Sequence, residues 1–168
     1  ESIYVVDDSS LVPSTSNSIT YPSSTLLINP WEGTSDLSLA DGVLTVNTGS
    51  GNWWGAALEI EASSGENLSG FASGTLVFDI KGSTSSTFQL GFQSGIWQNN
   101  ARPQVNNYVL FGPGQSRSIT SSWVTHQIPV SALNKGADFT DITSLLFFWG
   151  DSGLDGKTIE VRNISYRK

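Results

Sequence analysis

The sequence predicts an all-β chain, a sandwich or barrel of short strands. Three observations carry that reading. Runs rich in Val, Ile, Thr, Phe and Trp recur at intervals of about ten residues. Clusters of Gly, Ser, Asn and Pro separate the runs. Within the runs, apolar and polar residues alternate, the period of a strand with one buried face.

Taken in order, strands are expected over residues 2–7, 25–29, 42–47, 53–61, 74–81, 87–93, 107–111, 123–129, 142–149 and 157–166. The Ser/Thr-rich stretch 9–24 reads as a long loop lying over the sheets, and 130–134 as one helical turn. In the fifth strand Leu76, Phe78 and Ile80 share the inner face and Thr75, Val77, Asp79 and Lys81 the outer. Phe88, Leu90 and Phe92 oppose Gln89, Gly91 and Gln93 in the next. Leu145, Phe147 and Trp149 alternate with Leu146 and Phe148, so the ninth strand is apolar on both faces and belongs at a sheet centre or under a groove. No repeat of 20 to 50 residues emerges, which excludes solenoids and propellers.

Composition narrows the class. The 168 residues suit one domain, 1–168. Only 14% are charged and the net charge is −7, with the eight Lys and Arg scattered, so nucleic acid has no basic surface to bind. No apolar run approaches the roughly 20 residues of a membrane span. The absence of Cys excludes disulfides, thiol catalysis and thiolate metal sites. A surface of neutral hydroxyls and amides suits a secreted, extracellular monomer. With no start Met or signal-like segment, the chain is expected to be a module excised from a larger multidomain enzyme.

The rings carry the functional signal. Asn52-Trp53-Trp54-Gly55 and Ile96-Trp97-Gln98-Asn99-Asn100 set large flat side chains among amides and glycines. A pyranose offers an apolar C–H face and a rim of hydroxyls, so its receptor needs aromatic plates plus groups that donate and accept in pairs. Adjacent strand residues point to opposite faces, so Trp53 and Trp54 split across the sheet. Leu58 and Ile60 share the parity of Trp54, which makes Trp54 the core ring and Trp53 the plate. Trp53 and Trp97 are the expected stacking residues, with Gln93, Asn99, Asn100 and Arg102 as hydrogen-bonding partners. Trp31, Trp54 and Trp149 are further candidates, and Trp123 is expected to cap the core.

Catalysis has little to stand on. The lone His126 shares the parity of Val124 and Ile128 and reads as a buried imidazole, and no nucleophile elbow or phosphate loop appears. Glu59 and Glu61 would share a strand face at a spacing compatible with a glycosidase pair, but Glu-x-Glu is common on solvated strands.

Three segments carry a family resemblance. Leu68-Ser69-Gly70-Phe71 leads into Thr75-Leu76-Val77-Phe78-Asp79-Ile80; Ser122 to Leu133 reads as a strand, a proline and a short helical turn; and Lys157 to Tyr166 is a closing strand. With Trp53-Trp54-Gly55, they resemble the jelly-roll carbohydrate-binding modules of the galactose-binding-like superfamily, in particular those attached to bacterial β-glucanases and laminarinases. The resemblance implies a jelly-roll β-sandwich of two mainly antiparallel sheets and no catalytic activity. It also implies binding of a neutral polysaccharide, foremost a β-1,3-glucan such as laminarin, to target an attached glycoside hydrolase. The alternatives are a structural or adhesion sandwich of a surface protein, with its Trp residues buried, and a small jelly-roll glycosidase. No cofactor is required. Many relatives hold a structural Ca²⁺ through an Asp in the closing strand, where this chain has Arg162-Asn163. Asp7, Asp8 and Glu160 could supply oxygens, but calcium needs six to eight.

Overall fold

Two sheets face each other in a β-sandwich. A computed structural model describes residues 2–4, 18–20, 26–60, 65–83, 86–151 and 156–168. The elements are β1 (Ser2–Tyr4), β2 (Ser18–Thr20), β3 (Leu26–Pro30), β4 (Ser35–Ala40), β5 (Val43–Thr48), β6 (Trp53–Ile60), β7 (Thr75–Gly82), β8 (Phe88–Ser94) and β9 (Val105–Phe111), followed by β10 (Val124–Pro129), α1 (Val130–Leu133), β11 (Ile142–Asp151) and β12 (Thr158–Arg167). One sheet runs β10-β7-β12, with β12 continuing to β1-β2 along one half and to β5-β4 along the other; the second sheet runs β3-β6-β11-β8-β9. These strands all pair antiparallel except β1 with β2. Among the described residues no helix is long and apolar enough to cross a membrane.

The alternating residues close the sandwich as expected. Leu76, Phe78 and Ile80 from one sheet meet Phe88, Leu90 and Phe92 from the other, all buried, with Leu44, Val46, Ile159 and Val161 beside them. Fully burying one such side chain contributes about 1.5 to 3 kcal/mol. β11 lies at the centre of its sheet, as its two apolar faces require.

The structure departs from the sequence reading at four places. Strand β4 was not expected, although Asp41-Gly42, both with positive φ, is the turn that closes a β4–β5 hairpin. Ser18–Thr20 within the expected loop is a strand, while residues 5–7, Glu61 and most of 9–24 lie outside the described residues. The register shifts in β11 between Ser144 and Leu146, so Leu145 and Leu146 both join the core while Phe147 and Trp149 face out. Trp123 does not cap the core. It lies on the outer face of the seven-stranded sheet with the Arg162 guanidinium 4.1 Å and the Lys81 ammonium 4.8 Å from its ring centre. Its odd parity, shared with Thr125 and Gln127, explains this, because His126 and Ile128 face inward.

His126 packs against the rings of Phe78 and Phe111, at 5.8 and 4.9 Å. Burial and the nearby Arg117 charge depress its pKa below the ordinary 6.5. The unfolded chain therefore takes up a proton before the folded one does, so stability is full above about pH 6.5 and falls as the pH drops through the window below it. It is the chain's single His, and no other side chain ordinarily titrates between about pH 5 and 7. The melting temperature should therefore decline from pH 7 to 5, and His126→Phe should flatten that slope; an equal slope in the variant would assign it elsewhere.

Candidate functional site

The outer face of the five-stranded sheet carries a groove of about 1190 Å³. Register fixes what lines it. At one end Trp53 stands opposite Asp151, and Trp149 lies between Gly55 and Gln89. Next comes Phe147 between Ala57 and Gly91, and then a row of Glu59, Ser144, Gln93 and Asn106. From Gln89 to Gln93 is about 13 Å along β8 at 3.3 Å per residue. Trp97 lies past the end of that strand.

Trp31 reaches the face by a different route. The chain leaves β3 at Pro30 and makes a single 3₁₀ turn over Trp31–Gly33. Its indole then stacks on Phe147, with ring centres 6.1 Å apart and planes 20° from parallel. It can lie there because position 55 has no side chain: a Cβ would run into the six-membered ring of Trp31. The turn is pinned by Thr34, whose hydroxyl accepts from the Gly55 N–H at 2.9 Å and donates to the Trp31 carbonyl at 2.7 Å.

The loop that presents Trp97 is tied along its length. The Ile96 N–H donates to the Arg102 carbonyl at 2.8 Å, and the Gly95 N–H to the Asp141 carbonyl at 3.0 Å. Arg102 clamps Asp141 through two bonds, Nε to Oδ2 at 2.8 Å and Nη2 to Oδ1 at 2.6 Å. That pairing holds the Asp141 carboxyl below the usual carboxylate range against the opposing effect of burial. Trp97 is thus 68% exposed on a braced loop, and Trp149 is 44% exposed on a central strand. Rings in such positions contribute little to the core and are held ready to be covered.

Of the candidate residues, Trp31, Trp53, Trp97, Trp149, Gln93 and Arg102 all line the groove. Trp54 does not: it is 1% exposed on the opposite side of the sheet, packed against Phe88 and Phe148. Asn99 is also off the groove wall, its side-chain oxygen accepting from the N–H groups of Ala101 and Arg102, an amide that shapes a turn. Asn100 is exposed and off the wall. Sequence reasoning passed over Asn29, Ser144 and Asn106, which line the groove, and Gly55, which admits Trp31. Only strand pairing brings them there.

The charges lining the groove disfavour anions. Glu32 and Glu59 contribute carboxylates, and the guanidinium of Arg102 is already paired with Asp141. Among the described residues no group of three His, Asp or Glu is arranged to hold a metal ion. Glu160 pairs with Lys81 at 3.4 Å, and Asp7 and Asp8 lie outside the described residues. Asp79 accepts from Thr125, Asn163 and Arg162; burial raises its pKa, and these bonds outweigh that and hold the carboxyl below its ordinary range.

A family model described as carbohydrate binding domain 30 matches residues 4–168. Among solved structures, the family 30 carbohydrate-binding module of a cellulosomal cellulase of Clostridium thermocellum superposes with a TM-score of 0.66 at 21% identity, covering 86% of this chain and 91% of that one. Another family 30 crystal structure gives 0.64 at 20%, covering 84% and 91%. A family 29 module complexed with mannohexaose gives 0.57 at 15%, covering 99% and 90%. At these identities the likenesses speak for the fold. No curated protein matches the chain.

Proposed function

The chain belongs to the carbohydrate binding domain 30 family, which is non-catalytic, and from that premise we propose that its groove holds a single chain of neutral β-glucan. The observation that supports this most is the set of four indoles, Trp31, Trp53, Trp97 and Trp149, spread along one open groove with amides between them. Indoles offer flat apolar faces to sugar rings, and the amides fix orientation. Two carboxylates and one paired guanidinium argue against uronate or sulfated polymers. The exposure of Trp97 and Trp149 speaks against a purely structural sandwich.

The rings follow the strand direction, which suits an extended β-1,4-linked ribbon better than the coil of a β-1,3-glucan. The cellulase origin of one structural neighbour and the mannohexaose held by another point the same way. We therefore place β-1,4-linked and mixed-linkage glucans ahead of laminarin. The module would hold an attached glycoside hydrolase against its polymer outside the cell.

Electrophoresis through gels containing hydroxyethylcellulose, mixed-linkage β-glucan, laminarin or polygalacturonate tests this. Retardation is expected in the first two, less in laminarin and none in polygalacturonate. Free migration in every neutral glycan, or retardation only by polygalacturonate, would sink the proposal.

A further inference from the structure

Midway along the groove the floor changes from rings to a belt of hydrogen-bonded side chains. On β11, β8 and β9 the Ser144 hydroxyl donates to Gln93 Oε1 at 2.7 Å, and Gln93 Nε2 donates to Asn106 Oδ1 at 2.8 Å. Facing them from β6, Glu59 accepts from Asn29 Nδ2 at 2.9 Å. Gln93 is only 2% exposed although it lines the groove. Placing an amide there costs free energy unless it is paired, and apolar side chains would fill the same floor without that cost.

The neighbouring Asn107 shows what a structural amide looks like. Fully buried, it donates to the backbone carbonyls of Phe92 and Val105 and accepts from the Lys135 N–H, so it ties strands together. The side chains of Gln93, Asn106 and Ser144 instead bond one another. All three line the groove, and each keeps capacity beyond these bonds: an amide nitrogen carries two donors, an amide oxygen two lone pairs and a hydroxyl oxygen two more. A sugar hydroxyl arriving over this row can donate to one member and accept from the next, at positions already held by the sheet.

We propose that the Ser144–Gln93–Asn106 row, faced by Glu59, is the specificity-determining element of the groove. It reads one hydroxyl by donating to it and accepting from it, and so rejects glycans that lack that group or hold it in another configuration. The proposal rests on the glucan reading of the same groove. Indoles alone cannot make this distinction, because every β-linked pyranose has a C–H face to stack. A site built to hydrogen-bond a hydroxyl discriminates far more sharply than an apolar one, since a wrong ligand leaves its polar groups unpaired.

Titration calorimetry with cello-, manno-, xylo- and laminari-hexaose tests the assignment in the wild type, Gln93→Met and Asn106→Leu. Met matches the length of Gln without its donor or acceptor. Both variants should lose about tenfold or more in affinity for the best ligand and little for the poorest, so the spread across the panel narrows. Trp97→Ala should lower all four alike. A proportional loss across the panel in both amide variants, or no loss in either, overturns the proposal while leaving the glucan reading intact. A wild type that binds none of the four overturns both. Should Gln93→Met fail to fold, Asn106→Leu carries the test, since Asn106 is half-buried on an edge strand.

Discussion

Truncating Trp54 to alanine should cost about 3 to 5 kcal/mol of stability, the usual cost of removing a large buried ring. Its indole is sealed between Phe88 and Phe148, with ring centres 5.7 and 6.3 Å away. For a domain of this size the loss corresponds to a fall of roughly 6 to 20 °C in melting temperature. The same change at Trp97 should leave the melting temperature almost unmoved, because its ring is mostly in solvent. It should instead weaken glucan binding by about 2 kcal/mol or more, near thirtyfold, as truncating a hot-spot aromatic does. Trp123→Ala is an internal control on the far sheet. It forfeits contacts with Arg162 and Lys81 of about 0.5 to 1 kcal/mol each and should keep full affinity. Scanning calorimetry and glucan titration of the three variants check the assignment. Loss of binding without loss of stability in Trp54→Ala would invert it.

That two neighbouring indoles have opposite fates was legible in the sequence, because an extended strand has only two faces and Leu58 marks the inner one. The same parity places Trp123 outside with Thr125 and Gln127, and expecting it to cap the core set its place at the strand start above period. What alternation cannot reveal is where the count slips. One extra residue in β11 near Leu145 and another in β12 after Arg162 reverse which parity is buried, so Ile159 and Val161 give way to Ile164 and Tyr166. Only the left-handed Asn163 hints at the second slip, and Asn tolerates that conformation in many ordinary turns. The groove's rings, and Gln93 among its amides, were readable from the sequence, but Asn29 and Asn106 were not. Asn99 and Asn100 are close to Trp97 in the chain, yet neither lies on the groove wall. Ser144 is 51 residues from Gln93 and still bonds to it.

Gly55 ties local sequence to site geometry most directly, and Gly55→Ala should remove much of the binding while sparing the fold. Gly55 has no unusual backbone angle, so alanine is free of strain in the strand. The atoms nearest the added methyl all belong to the Trp31 indole, on the face turned away from the core. Trp31 must then leave Phe147, and losing that stack costs about 0.5 to 1.5 kcal/mol, a small part of a domain's stability of about 5 to 15 kcal/mol. The groove loses one of its four plates, and the displaced ring is free to obstruct the path between Trp149 and the amide row. Affinity for soluble glucan should therefore fall at least tenfold, with a melting temperature within a few degrees of wild type. In the Trp31→Ala background the same substitution should do almost nothing further, because the group it displaces is already gone. Additive losses in that double variant would mean that Gly55 acts on the groove by some route other than Trp31.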